Sequence, residues 1–185
     1  MSATYTFRPS ALEKEKTLEL TQEHLMIHQG QRTDDAPYAS IKSVRLYYDP
    51  SRFATNKYQC EITLKNHATV LIKSVHYAGP TNFEDRASDY RAFITELHEH
   101  LAPLSDITFL AGNKPGCFSL NVLMIIATVV FVVIALFSFG SAIGLAIIFR
   151  LILFAGLLYW GIKYLKRNKP KTYNPDNLPS SVLPN

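Results

Sequence analysis

Residues able to do chemistry are few in this 185-residue chain, and their spacing argues against most of it. His98-Glu99-His100 places two imidazoles two residues apart, whereas a zinc-binding helix presents them four apart. On a helix these two rings point away from each other, and near a helix C-terminus they suit the dipole. His24 and His28 do share one side of a strand, but no third ligand accompanies them, and a tetrahedral metal site needs converging N or S donors. The serines lack a G-x-S-x-G setting and there is no phosphate-binding glycine loop. The adjacent carboxylates Asp34-Asp35 and Glu84-Asp85 fit a turn and a helix start. The sequence therefore offers no catalytic residue, no metal site and no cofactor motif.

The charge with the most unusual setting is Arg150. From Cys117 to Leu165 the chain is nearly all apolar, and Arg150 is its one arginine. A helix needs roughly 20 apolar residues to cross a bilayer, so this run holds two crossings, about 118–137 and 142–163. Ser138-Phe139-Gly140-Ser141 is small and turn-prone enough to reverse the chain between them. The expectation is a transmembrane hairpin over 117–165. No Asp or Glu lies between Asp106 and Asp176, so the hairpin has no acid to pair with Arg150. Arg150 falls at the level of Val130 and Phe131, with Thr128 near enough for one hydrogen bond. Either the long side chain snorkels toward the short loop and phosphate groups, or it pairs with an acid or headgroup held by a partner. Gly140 and Gly144, four apart, allow close helix approach. Arg150, Thr128, Gly140 and Gly144 are the candidate intramembrane contacts, and Tyr159 and Trp160 read as an interfacial belt level with Asn121.

Lysine and arginine set the orientation. Lys163, Lys166, Arg167, Lys169 and Lys171 follow the second apolar stretch, Lys114 precedes the first, and the connecting loop is uncharged. By the positive-inside rule both termini are cytoplasmic, with the basic cluster against anionic headgroups. Residues 1–114 carry 13 Lys/Arg against 14 Asp/Glu, so the pI near 9.0 belongs to the segment after the hairpin. A basic stripe on the folded part, which nucleic-acid binding requires, is missing. Two cysteines, Cys60 and Cys117, cannot make a disulfide scaffold. The first thirty residues are polar, with four glutamates from Glu13 to Glu23, so the hairpin itself is expected to act as the targeting signal.

The elements before the hairpin read as an α+β domain over 17–112, after a polar segment 1–16 and before a basic, Pro-rich tail 166–185. Thr17–Thr21, Leu25–Gln29 and Ile41–Tyr48 read as strands, with Gly30–Pro37 as a polar turn. Tyr58–Lys65 alternates, Tyr58, Cys60, Ile62 and Leu64 on one face, the mark of a half-buried strand. Asn66-His67 turns the chain into a partner strand over Ala68–Val75. Thr81 and Glu84 have capping-box spacing, and Phe83, Ala87, Tyr90, Ile94, Leu97 and Leu101 form one apolar helical stripe that Pro103 ends.

Meander strands closed by one C-terminal amphipathic helix resemble the pleckstrin-homology-like (PH-like) fold. The segment YASIKSVRLYY looks like the strand found after the early hairpin of bacterial PH-like domains. The resemblance spans roughly Thr17 to Ala102 plus the hairpin, a pairing familiar in bacterial membrane proteins of poorly defined role. The closing segment YNPDNLPSSVLPN also resembles the tails of such proteins. It implies an antiparallel sheet or barrel capped by the helix. Phosphoinositide-binding relatives use basic residues between early strands; here Arg52 and Lys57 flank Phe53 in the loop from Asp49 to Lys57, which either rests on anionic headgroups or is a solvated turn with Phe53 tucked on the core. The expected function is a non-catalytic bacterial inner-membrane protein that presents a PH-like interaction module to the cytoplasm and recruits an unidentified protein or a lipid. The alternative is an accessory subunit of a larger membrane complex, docked through Arg150 and the small-residue face.

Overall fold

The computed structural model describes residues 3–51, 57–138 and 144–184, without the side chains of 136–138 and 144–150. The chain forms two compact units, one from 1–112 together with 171–185 and the other from 113–170.

In the first unit, β1 (Thr4–Phe7), β2 (Lys16–Leu20), β3 (His24–Gln29) and β4 (Arg32–Pro37) form an antiparallel four-stranded meander in chain order. β1 lies in the stretch read as a polar segment. Its Thr-Tyr-Thr-Phe alternation turns Tyr5 and Phe7 into the core at 2 % and 0 % exposure. Gly30 takes φ +65° in the two-residue turn between Gln29 and Arg32, a conformation glycine adopts without steric cost. The polar turn expected over Gly30–Pro37 is thus only Gly30-Gln31. The rest is an edge strand that buries Ala36 and answers its charges locally, Arg32 with Asp34 at 2.8 Å and His24 with Asp35 at 2.6 Å.

β5 (Ile41–Tyr48), β6 (Tyr58–Leu64) and β7 (Thr69–Lys73) form a second antiparallel meander. The β6–β7 turn falls where Asn66-His67 predicts it, with His67 at φ 67° and Asn66 Oδ1 accepting the Ala68 N–H. β8 (Val75–Gly79) and β9 (Asn82–Asp85) make a separate hairpin.

This hairpin corrects the reading of the helix start. Pro80 and Thr81 are its turn, Thr81 at φ 62°, and Glu84 faces His76 across it, so neither Thr81 nor Glu84 can cap. Strand pairing takes the backbone that the capping box needed. α1 (Ala87–Leu101) begins five residues later than that reading requires. Asp85 Oδ1 accepts the Ala87 N–H at 2.8 Å, and Phe83 stays outside the helix. Tyr90, Phe93, Ile94, Leu97 and Leu101 bury one face of α1 in the core.

The sheet does not end at β7. β10 (Thr108–Ala111) adds parallel to β5, and β11 (Lys171–Thr172) adds antiparallel to β10, giving the order β11-β10-β5-β6-β7. Beyond β11, Val182 and Leu183 enter the same core as Tyr5 and Ile94. Residues 171–184, read as a tail, are therefore part of the domain.

The second unit holds α2 (Pro115–Ser138) and α3 (Gly144–Arg167), 24 residues each. They pack antiparallel: the Asn113 N–H bonds the Asn168 carbonyl, Asn121 reaches Tyr164, and a Cβ on Gly161 would stand 3.4 Å from Ile125. Among the described residues one helix, α2, is long and apolar enough to cross a bilayer, with a mean hydropathy of 2.7 over Pro115–Ala135. α3 matches it in length, and Lys163, Lys166 and Arg167 lie in its C-terminal turns. The structure is thus mixed α+β with several sheets, and it establishes one candidate span where the sequence suggested a hairpin of two.

Candidate functional site

In the second unit, large apolar side chains point away from the helix pair. Leu120, Leu123, Met124, Ile126, Val130, Phe131 and Ile134 of α2 are between 51 % and 71 % exposed, as are Leu151, Ile152, Leu153 and Leu157 of α3. Exposed leucine-sized chains each forgo roughly 1.5–3 kcal/mol of burial in water, so this surface suits hydrocarbon.

Several polar groups of the pair gather at one end. Tyr164 Oη accepts hydrogen bonds from Asn113 Nδ2 at 3.1 Å and Asn121 Nδ2 at 3.3 Å. Asn121 is thus level with Tyr164, one turn beyond the aromatic pair expected for it. Lys163 Nζ lies 5.8 Å and 5.5 Å from the ring centres of Tyr159 and Trp160, close enough for cation–π attraction. Lys166 and Arg167 occupy the last turn of α3, where positive charge complements the helix dipole. Lys169 follows as an exposed residue, and Lys171 belongs to β11.

Thr128 donates its hydroxyl back to the Met124 carbonyl at 2.8 Å, so its proton is committed within its own helix. Arg150 lies in α3 and Gly144 begins it, but their side-chain surroundings are outside the described residues, as is Gly140. The close glycine approach that the structure does show between the helices uses Gly161 against Ile125, a pair the small-residue reading missed.

In the first unit, the loop read as a headgroup contact starts from a polar cluster. Lys57 Nζ pairs with Asp49 Oδ2 at 2.6 Å and is only 19 % exposed, while Gln59 Nε2 also donates to that oxygen. Tyr47 donates its hydroxyl to Gln59 Oε1 at 2.9 Å. Burial, with Glu61 and Asp49 nearby, pushes the Tyr47 phenol well above its ordinary range, so it stays a donor. Gln59 sits on the face of β6 expected to be solvated, yet it is 3 % exposed, because this cluster satisfies its amide. Lys57 thus already answers an acid, and Arg52 and Phe53 lie outside the described residues.

His98 departs most from expectation. It is 2 % exposed, its Nδ1–H donates to the Ile94 carbonyl at 2.7 Å, and Tyr173 donates its hydroxyl to Nε2 at 2.7 Å. Phe109 and Tyr173 cover the ring at centroid distances of 5.4 Å and 5.8 Å. Burial lowers its pKa to about 4, so at neutral pH it is an uncharged core residue, not a cation serving the helix dipole. His100 instead stacks on Tyr38. No sequence signal links His98 to a tyrosine 75 positions on. Cys60 is buried, and burial raises its thiol pKa far above the ordinary range, which removes it as a nucleophile.

A groove of about 520 Å³ runs between α1 and the C-terminal segment, past Arg91, Thr95, Glu99, Asp176 and Asn177. Arg91 is held by the Pro184 carbonyl at 3.1 Å. Among the described residues no three His, Cys, Asp or Glu side chains converge as a metal site would require. No protein-family model matches this chain, and neither a curated protein nor a solved structure matches it significantly.

Proposed function

We propose that this chain is a non-catalytic, two-pass protein of a bacterial inner membrane that holds a PH-like interaction domain at the cytoplasmic surface. The observation that carries the reading is the pairing of Ala111 with Lys171. These residues flank the helix pair and are neighbours in one sheet, so both ends of the pair leave from one place. A chain that crosses a bilayer through α2 must then cross back through α3, because an odd number of crossings would separate the two strands. The outward apolar side chains of both helices supply the surface for such a passage. Lys163, Lys166, Arg167, Lys169 and Lys171 gather near the exit and favour the cytoplasmic side, each contributing on the order of 1 kcal/mol at an anionic surface.

Antiparallel meanders of four and three strands followed by a helix support the PH-like reading of the domain, with β10 and β11 as additions to it. The module's partner is a protein or lipid met at the membrane surface.

Orientation is directly testable. Leu12 is 98 % exposed, and Cys60 is buried. In a Cys117→Ser background, Leu12→Cys should react with a membrane-impermeant maleimide in inverted vesicles and stay unlabelled in intact spheroplasts, with the protein resisting carbonate extraction. Labelling from outside, or release by carbonate, would overturn the reading.

A further inference from the structure

We propose that residues 171–184 are a latch that closes only when α3 returns the chain across the membrane that α2 has crossed, so that a chain crossing once leaves the domain incomplete. The inference rests on the two-pass reading above and adds a consequence to it.

The latch holds by four kinds of contact within the first unit. β11 pairs with β10, and the Tyr173 N–H bonds the Phe109 carbonyl at 3.2 Å. The Tyr173 hydroxyl donates to His98 at 2.7 Å. Val182 and Leu183 fill the core at 0 % and 4 % exposure. Arg91 holds the Pro184 carbonyl.

Once α2 has crossed the bilayer, none of these contacts can form until the chain beyond α3 arrives back on the side that α2 left. Before then β10 has an open strand edge, the His98 Nε2 lacks the tyrosine proton, and the positions of Val182 and Leu183 in the core are unfilled. Buried polar groups without partners and unfilled apolar space both destabilise a domain. The ungated state is therefore open and loosely packed along α1 and β10. A chain that has crossed only once presents an incomplete module, which denies recruitment to half-inserted protein.

A disulfide across the latch reads its closure. Tyr173 and Phe109 share a hydrogen bond, so the adjacent Leu110–Thr172 pair is the non-hydrogen-bonded one, where Cβ atoms come closest. In full-length protein carrying Cys117→Ser, Leu110→Cys and Thr172→Cys, oxidation of native membranes should give a disulfide within one chain. Adding Leu153→Lys and Leu157→Lys, on the outward face of α3, blocks its insertion and should lower that cross-link at least about fivefold. Leu183→Asp, which leaves the helices untouched, should also lower it while carbonate-resistant membrane association persists.

A cross-link unchanged by the lysines in membrane-integrated protein would overturn the gating. A disulfide joining two chains would overturn the intramolecular latch in favour of segment exchange. Release of the parent protein by carbonate would instead remove the two-pass reading itself, an outcome separable from the other two.

Discussion

At the scale of single residues, His98 shows how a side chain's neighbours set its chemistry. An imidazole at the end of a helix is ordinarily solvated and available as a cation. Here it is enclosed by Phe109 and Tyr173 and carries one proton, on Nδ1, directed at the Ile94 carbonyl. Protonating Nε2 would set two donors, that nitrogen and the Tyr173 hydroxyl, against each other. Because its folded pKa is near 4, below the ordinary 6.5, the unfolded chain takes up the proton first as pH falls. Its stabilisation is complete above pH 6.5 and is lost between there and about pH 4, amounting to roughly 3 kcal/mol. The melting temperature of detergent-solubilised protein should fall over that range, and His98→Gln should flatten the fall. A profile unaltered by the substitution would show that His98 does not titrate with unfolding. The histidine was visible in the sequence, but its burial was not, since Tyr173 reaches it across 75 positions.

At the scale of elements, strands and helices were legible where their own side chains alternate or repeat, as in β5, β6 and α1. They were missed where pairing decides: β1 and β4 are short or polar, and β9 carries a helix-start pattern that the β8–β9 turn overrides. The pair α2–α3 follows the same logic. Apolar composition marks both helices, but their register depends on Tyr164 accepting from Asn113 and Asn121, and on Gly161 meeting Ile125. Tyr164→Phe should weaken the pair by roughly 0.6–2 kcal/mol, the span found for hydrogen bonds between membrane helices. Gly161→Ala should be tolerated, since the added Cβ meets Ile125 at van der Waals distance, whereas Gly161→Leu should force the helices apart. Unfolding in mixed micelles with increasing SDS measures both effects. Equal stability of Tyr164→Phe and the parent would show that the two amides find other partners.

At the scale of the whole molecule, the first unit is discontinuous in sequence, interrupted between 112 and 170. Its core is contributed from both sides of the interruption, Phe109 and Ala111 before it, Val182 and Leu183 after it. Because Ala111 and Lys171 are paired, a loop of about four residues spans the gap that 113–170 now fills. Replacing that segment by such a loop should yield a water-soluble protein that keeps the parent domain's β-rich circular dichroism and melts cooperatively. Ending the chain at Gly112 should leave a domain without Val182 and Leu183 that is markedly less stable or fails to fold. A loop variant that aggregates as readily as the truncation would show that the helices stabilise the domain directly.

By itself the sequence determined that an apolar stretch from Cys117 to Leu165 must escape water, that a mixed α+β domain precedes it, and where five of that domain's described strands and the body of its helix lie. These are consequences of composition and of periods two and 3.6, which any short window displays. Only the tertiary structure decided that the last fourteen described residues belong to that domain, that His98 is neutral, and that Asn121 pairs with Tyr164. Each of these depends on groups far apart in the chain meeting in space. No local pattern of residues encodes which distant backbone will supply the partner.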